Sequence, residues 1–278
     1  MYRKRILYPE GKNKALTLSY DDGTEYDVRL IELMKKYGIR GTFNLNGCHY
    51  TSDRVERENN RILSVSEMQE VYDPAFTEIA THGYTHPRLD QLPSSGCMLE
   101  ILRDRMALEK ATGRIIRGHA YPYGTYNDAV VRVCRDAGIV YARTTVSHHN
   151  FSLPDEWLTW GATCHHMDQA LNGLTDRFLN ETPVKRGEDG WLFYLWGHSY
   201  EFNALQNWDL IEGFFSKVSG NDDIWYATNG QIYDYVNAYR SLVFNAECTK
   251  VFNPTRTDVW AGINGATVKI AAGETVLL

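Results

Sequence analysis

Short apolar, strand-like runs alternate with amphipathic helical stretches from about residue 14 to about residue 240, and this alternation constrains the fold more than any other feature of the chain. The first unit is the plainest. Ala15–Tyr20 reads as a strand with Leu16, Leu18 and Tyr20 on one face, and Asp21-Asp22-Gly23 breaks it. A helix follows with Leu30, Leu33, Met34 and Tyr37 in one stripe and Gly38 as its C-terminal cap, and Gly41–Leu45 is the next strand. Further strands are expected at Glu78–Thr81, Ile115–Tyr121, Ile139–Thr144, Trp157–Ala162, Trp191–Trp196 and Ile224–Ala227. Helices are expected through Met98, Leu102, Arg105, Met106 and Glu109 to a stop near Gly113, over Asp128–Ala137 before Gly138, around Trp208–Val218, and over Ile232–Phe244. Seven or eight such units predict an α/β fold with a parallel sheet covered by helices. A distorted (β/α) barrel accommodates them without exposed edges. A doubly wound open sheet competes, weakened because no GxGxxG follows the first strand.

After about Asn245 the composition turns to Thr, Val, Gly and Ala. Thr267–Ile270 and Thr275–Leu278, separated by Ala-Ala-Gly-Glu, read as a β-hairpin. The expected division is a barrel over 1–245 and a small β extension over 246–278, packed on the barrel or on a neighbouring molecule.

Of the 278 residues, 43% are hydrophobic and 23% charged, ample for a buried core. The net charge of −6 argues against a nucleic-acid backbone as partner and gives no support for binding an anionic membrane. No apolar run approaches the roughly 18 residues a membrane span needs. The amino-terminal stretch has basic residues with no apolar segment behind them, so the sequence points to a cytoplasmic protein. Its five cysteines are scattered without a CxxC, which indicates neither a disulfide framework nor a Cys-type zinc site. Cys134, inside an apolar helical pattern, reads as a buried free thiol. The oligomeric state is left open.

Barrel active sites collect at the C-terminal ends of the strands, and three strand ends carry chemistry. In Leu18-Ser-Tyr-Asp-Asp-Gly-Thr24, two adjacent carboxylates follow an apolar strand. Asp-Asp-Gly in coil is commonly only a turn. At a strand end, one carboxylate can bind a cation while the other stays free to take a proton. In Thr81-His-Gly-Tyr-Thr-His-Pro87, His82 and His86 are four apart, a spacing that aims two imidazoles at one ion or belongs to two unrelated surface histidines. The strand before them puts the pair on the same face as Asp21 and Asp22. A HExxH helix is excluded, since Gly83 follows His82. In the third segment the apolar run Trp191–Trp196 leads through Gly197 to His198, which is either structural or a general acid with a pKa near working pH.

Together these segments resemble the motifs of the polysaccharide deacetylase family, also called the NodB-homology carbohydrate esterases. The family's T-F-D-D-G appears as Ser19-Tyr-Asp-Asp-Gly23, and its H-S/T-x-x-H as His82-Gly-Tyr-Thr-His86. Its R-x-P-Y-G appears as Ala120-Tyr-Pro-Tyr-Gly124, and its L-x-x-H as Leu195-Trp-Gly-His198. The order holds over about residues 14–240. The resemblance implies a distorted (β/α) barrel in which Asp22, His82 and His86 hold a divalent metal, usually zinc. It implies Asp21 as general base, His198 as general acid and the backbone N–H of Tyr123 as oxyanion donor.

The chain departs from the family pattern in three places. Ala120 replaces the third-motif Arg that pairs with the catalytic Asp, and Arg143 is the expected stand-in, ahead of Arg117 and His119. Losing that partner would favour the protonated form of Asp21. Gly83 replaces a hydroxyl residue. The family's fourth motif, with its Asp and Trp, is not recognisable, although Trp157 and Trp160 lie in its region; His165 and His166 nearby are either cleft-lining residues or, on the plainer reading, ordinary polar loop histidines. Aromatic residues make up 13% of the chain, and Tyr84, Tyr121, Trp160, Trp196 and Tyr200 are nearest the motifs as candidates to contact a sugar, with Arg143 beside them. The leading expectation is a metal-dependent hydrolase that removes acetyl groups from an N- or O-acetylated carbohydrate. The alternatives are a metal-dependent amidohydrolase on a small non-sugar amide and a catalytically silent sugar-binding relative.

Overall fold

The structure is a computed structural model that describes residues 4–51, 60–183 and 188–278. After β1 (Lys4–Leu7) the chain runs β2 (Lys14–Asp21), α1 (Asp27–Tyr37), β3 (Gly41–Leu45), α2 (Val65–Val71) and β4 (Thr77–Thr81). It continues α3 (Ser94–Thr112), β5 (Gly118–Ala120), α4 (Asp128–Asp136), β6 (Tyr141–Ser147), β7 (Trp160–Ala162), β8 (Cys164–His165) and α5 (Leu171–Asn180). Next come β9 (Trp191–His198), α6 (Ser199–Ala204), α7 (Trp208–Val218), β10 (Ile224–Tyr226) and α8 (Asn229–Arg240). Five short strands finish the chain: β11 (Val243–Phe244), β12 (Lys250–Phe252), β13 (Val259–Ile263), β14 (Ala266–Ile270) and β15 (Thr275–Leu277). No helix among the described residues is long and apolar enough to cross a membrane.

The main sheet is parallel throughout, in the order β7-β6-β5-β4-β3-β2-β9-β8. Its two ends are the same stretch of chain. β7 and β8 are separated by Thr163 alone, whose N–H donates to Tyr194 O of β9 at 2.8 Å. One irregular segment therefore pairs with β6 on one side and β9 on the other and rolls the sheet into a barrel. This settles the architecture against an open doubly wound sheet. The distortion sits at β2, which pairs with β9 along its whole length while β10 and β3 share its other side.

Leu16, Leu18 and Tyr20 turn outward and pack with Leu30, Ile31 and Met34 of α1 and Ile211, Phe214 and Phe215 of α7. Gly38 stops α1 in the left-handed conformation that spares it a Cβ clash. The alternate residues of β2 face inward and are polar. Thr17 donates to Asn229 Oδ1 at 2.8 Å, Asn229 Nδ2 donates to Tyr194 OH at 2.7 Å, and the Asn229 N–H donates to Thr42 Oγ1 at 3.0 Å. Thr42 donates in turn to Glu78 Oε2 at 2.9 Å. Buried polar groups survive only when paired, and this hydrogen-bonded column fills the barrel beneath the strand ends.

Several expectations are corrected. Thr267–Ile270 and Thr275–Leu278 do not form one hairpin: β14 pairs with β13, whereas β15 pairs with β12, in two separate antiparallel sheets. The first of these sheets is completed by β1, so the amino-terminal strand binds the C-terminal segment. Ala238 and Leu242 pack with Val251, Val259, Ala261, Ile263 and Ile270 beneath it. The last helix ends at Arg240, four residues early, because Val243–Phe244 pairs with β12. Only Trp160–Ala162 of the expected 157–162 strand is extended, since Trp157–Thr159 forms a 3₁₀ turn. On α3 the buried face is Cys97, Ile101, Asp104, Leu108 and Ala111, leaving Met106 exposed.

Replacing Asn229 with Ala strips partners from Thr17 and Tyr194 deep in the barrel. A loss of about 2–6 kcal/mol, at about 1–3 kcal/mol for each orphaned group, is expected in urea denaturation.

Candidate active site

Asp21 is the last residue of β2, and Asp22 follows it with φ 82°, ahead of Gly23 at φ 67°. Two successive left-handed residues swing the chain so that both carboxylates approach one imidazole. His82 Nε2 lies 3.8 Å from Asp21 Oδ2 and 3.9 Å from Asp22 Oδ1. Only glycine fits at position 23, where a Cβ would stand 2.7 Å from Leu45 Cδ2 and 2.9 Å from Tyr50 OH. His86 and Tyr123 also adopt positive φ, 61° and 59°. Non-glycine residues in this region cost on the order of 1 kcal/mol or more each and gather at functional sites.

His82 directly follows β4, and His86 Nε2 comes back to within 3.1 Å of His82 Nε2 and 3.9 Å of Asp22 Oδ1. The three ligand atoms all lie within 4.8 Å of one another. His82 Nδ1 faces the carbonyl oxygen of Ala120 at 2.8 Å, so it carries the proton and leaves the Nε2 lone pair pointing at the other two groups. Burial lowers the His82 pKa and favours this neutral form. Two imidazoles and a carboxylate with converging lone pairs fit a divalent cation with coordination positions left open. Behind them Asp104 of α3 accepts the N–H groups of His82 at 2.9 Å and Gly47 at 2.7 Å, fixing the loop.

Asp21 stays beside this trio. Arg143, fully buried on β6, donates to its Oδ2, and Asn44 Nδ2 donates to its Oδ1 at 2.8 Å. β6 and β2 are not neighbours in the sheet, so the Arg143–Asp21 pair spans the barrel interior. Burial by itself would raise the Asp21 pKa, but Arg143, then His82 and His198, outweigh it and hold the carboxyl below its ordinary range. The stand-in expected for the missing motif Arg is therefore in contact with Asp21. Arg117 instead pairs with Asp234 at the surface, and His119 is buried with its pKa pushed down to about 3 by desolvation.

His198 ends β9 opposite Asp21, with Nε2 at 3.9 Å from Asp21 Oδ2. Its Nδ1 lies 3.3 Å from Glu201 Oε2, and His165 Nε2 and His166 Nε2 lie 3.2 and 3.0 Å from the same oxygen. The reading of His165 and His166 as plain loop histidines is corrected here: His166 is fully buried, and both converge on a carboxylate. Of the candidate sugar contacts, Tyr121 donates to Leu158 O and Trp160 packs among Tyr141, Trp157 and Tyr194, both inside the fold. Tyr84 is buried beneath Arg103. Trp196 is nearly buried between Arg143 and His165. An open ring beside the trio is Tyr123, 57% exposed, with its edge on His86 and Arg88 over its face.

Sequence reasoning missed Asn44, Asp104 and Glu201. Each left a trace. Asn44 interrupts an apolar strand, Asp104 shares a helical face with Ile101 and Leu108, and Glu201 stands at the third helical position after His198, a capping-box spacing.

The polysaccharide deacetylase family model matches residues 9–142, the stretch that contains Asp21, Asp22, His82, His86 and Tyr123. That match covers 134 of the chain's 278 residues, so the chain resembles the polysaccharide deacetylase family over just under half of its length. The chain is 24% identical over 196 residues to a chitin deacetylase of Arthroderma benhamiae, covering 63% of this chain and 49% of that protein. It is 24% identical over 180 residues to a poly-β-1,6-N-acetyl-D-glucosamine N-deacetylase of Staphylococcus aureus, covering 61% and 57%. The chain thus spans about half the length of the curated relatives it matches. Its fold resembles that of a Mycobacterium smegmatis protein classed as a polysaccharide deacetylase, with a TM-score of 0.62 and 19% identity over 85% of this chain and 94% of that one. It also resembles the Xyl-CE4 domain of a multidomain xylanase from a Trinervitermes trinervoides hindgut metagenome, with a TM-score of 0.53 and 17% identity over 81% and 93%.

The buried pair predicts a double-mutant outcome. Arg143→Met leaves an unmatched buried carboxylate and is expected to cost about 3–5 kcal/mol at neutral pH. Adding Asp21→Asn is expected to recover most of that loss in denaturation curves. A second buried carboxyl gives a pH signature. Asp27 accepts from Tyr72 OH at 2.6 Å and Ser199 Oγ at 2.5 Å, and burial raises its pKa to about 7. The fold therefore holds a proton that the unfolded chain releases near pH 4. The stability from this group is full below about pH 4 and is lost as pH rises through about 7. Asp27→Asn is expected to gain in Tm relative to the wild type as pH is raised across that window.

Proposed function

We propose that the chain is a divalent-metal-dependent deacetylase that hydrolyses the acetyl group of an N- or O-acetylated carbohydrate, with zinc as the metal. The observation that carries this reading is the approach of Asp22 Oδ1, His82 Nε2 and His86 Nε2 to one another while Asp21 remains free beside them, charged through Arg143. The names of the two relatives, a chitin deacetylase and a poly-β-1,6-N-acetyl-D-glucosamine N-deacetylase, support the substrate class.

In this reading Asp22, His82 and His86 hold the metal. When bound, a divalent cation supplies a more acidic water and a polarised acetyl carbonyl. Asp21 takes the proton from the attacking water. Arg143 keeps Asp21 ionised for that step, and Asn44 occupies its other oxygen, fixing the orientation of the carboxylate. The N–H of Tyr123, in the turn beside His86, donates to the developing oxyanion. His198, across the cleft from Asp21, gives its proton to the departing amine or alcohol. Its pKa is lowered by burial but raised more by Glu201 and Asp21, a net rise that favours the protonated ring. The missing motif Arg was the ground for a catalytically silent relative, and Arg143 in contact with Asp21 removes that ground.

Asp22→Ala is expected to lose the bound divalent cation, measured by elemental analysis, together with acetate release from acetylated chito-oligomers. Full turnover in a metal-loaded Asp22→Ala protein would end the ligand assignment. Chelation of the wild type is expected to abolish activity, with zinc restoring it.

A further inference from the structure

Two clusters of histidine and carboxylate stand at the same end of the barrel, and their protons are arranged in opposite senses. In the first, His82 Nδ1 faces a carbonyl oxygen, so the ring turns a bare Nε2 toward Asp22. In the second, His165 Nδ1 accepts the N–H of Met167 at 3.1 Å, so the proton sits on Nε2 and faces Glu201. Bare nitrogens receive a cation, whereas protonated ones hold a carboxylate. Although His165, His198 and Glu201 also bring their polar atoms within 4.8 Å, this proton arrangement marks a clamp on an anion.

We propose that Glu201 is the positioning residue for His198, and that His165 and His166 clamp Glu201 in place for that task. The inference rests on the reading of His198 as the proton donor. Glu201 stands at the third residue of α6 and accepts the His198 N–H at 3.2 Å, a bond that ties the carboxylate to the strand end. The same oxygen lies 3.3 Å from His198 Nδ1, a contact not yet aligned as a hydrogen bond. His166 reaches Glu201 from between Tyr20 and Phe202, with ring centroids 5.7 and 4.2 Å away. Its approach requires the glycine before His198, because a Cβ at Gly197 would fall 2.0 Å from His166 Nδ1. Desolvation lowers the His166 pKa to about 4, which favours a neutral ring rather than a second cation, and its Nε2, 3.0 Å from Glu201 Oε2, is likewise not yet aligned as a hydrogen bond. The groups facing His198 are then Asp21 and Asp22 from the β2 end, His165 from β8, and Tyr200 and Glu201 from α6. With Glu201 holding the proton on Nδ1, Nε2 is the nitrogen that gains and loses a proton toward the cleft.

The test compares full-length, metal-loaded wild type with Glu201→Gln, Glu201→Asp and His165→Ala. Gln keeps an acceptor for the His198 N–H but removes the charge, so the fold is retained. Imidazole ¹⁵N spectra, with His198 assigned by His198→Gln, are expected to show the neutral ring protonated on Nδ1 in the wild type. In Glu201→Gln that preference should be lost and the titration midpoint lowered by about one unit. In turnover, Glu201→Gln is expected to lower kcat about 100-fold with KM little changed. The alkaline limb should move to lower pH, and Glu201→Asp should restore part of both. An unchanged His198 spectrum in Glu201→Gln overturns the proposal. So does loss in Glu201→Gln of a metal equivalent that Asp22→Ala retains, which would make the cluster a second metal site. Failure of the catalytic reading appears separately, as turnover that survives Asp22→Ala or His198→Gln, while the spectra still decide the role of Glu201.

Discussion

The arrangement of the cleft depends on one buried ion pair. Asp21 and Arg143 meet across the interior of the barrel, where a lone carboxylate would take up a proton rather than stay charged. With Arg143 against Oδ2 and Asn44 on Oδ1, the charge is kept and the carboxylate is fixed. Its position in turn decides what its neighbours see. His82 and His198 both approach Asp21 Oδ2, at 3.8 and 3.9 Å, from opposite sides of the strand end. A buried pair of this kind adds little net stability, since desolvation offsets most of the attraction. What it provides is a single place for the charge.

Around that pair the barrel supplies support rather than chemistry. Its interior holds a hydrogen-bonded column of Thr17, Thr42, Asn229, Tyr194 and Glu78 beside buried rings such as Tyr141, Trp160 and Trp196. Arg143 crosses to Asp21 with its guanidinium over the Trp196 ring. The loops above it are held from behind by Asp104 and conformed by left-handed residues at Asp22, His86 and Tyr123. Such local strain persists because the surrounding packing determines the loops from several sides.

The departures from the family motifs have a common physical logic. An Arg is absent at position 120, whose backbone carbonyl faces His82 Nδ1, and the guanidinium arrives from the neighbouring strand. In sheet register Ala120 lies opposite Arg143, so the charge comes from one strand over and reaches the same carboxylate. Conserving the position of the charge matters to Asp21, while the strand that delivers it does not.

Periodicity made the strand-and-helix order legible, because burying one face of each element imposes its spacing on the sequence. Local signals also marked Gly38, the Asp21-Asp22-Gly23 turn and the His82/His86 pair, since each reports on chemistry within a few residues. The tail was misread because a hairpin and two separate sheet edges require the same alternation. Only the partners distinguish them, and β13 and β12 lie elsewhere in the chain. Asn44, Asp104 and Glu201 went unseen for the same reason: a polar residue acquires meaning from the group it faces, and those groups are distant in sequence or hidden by a turn. The sequence by itself determined which elements form and which side chains stand at their ends. Which strand ends meet, which nitrogen of each histidine carries the proton, and which arginine faces Asp21 were decided by closure of the barrel, because contacts across its interior join residues that no local rule connects.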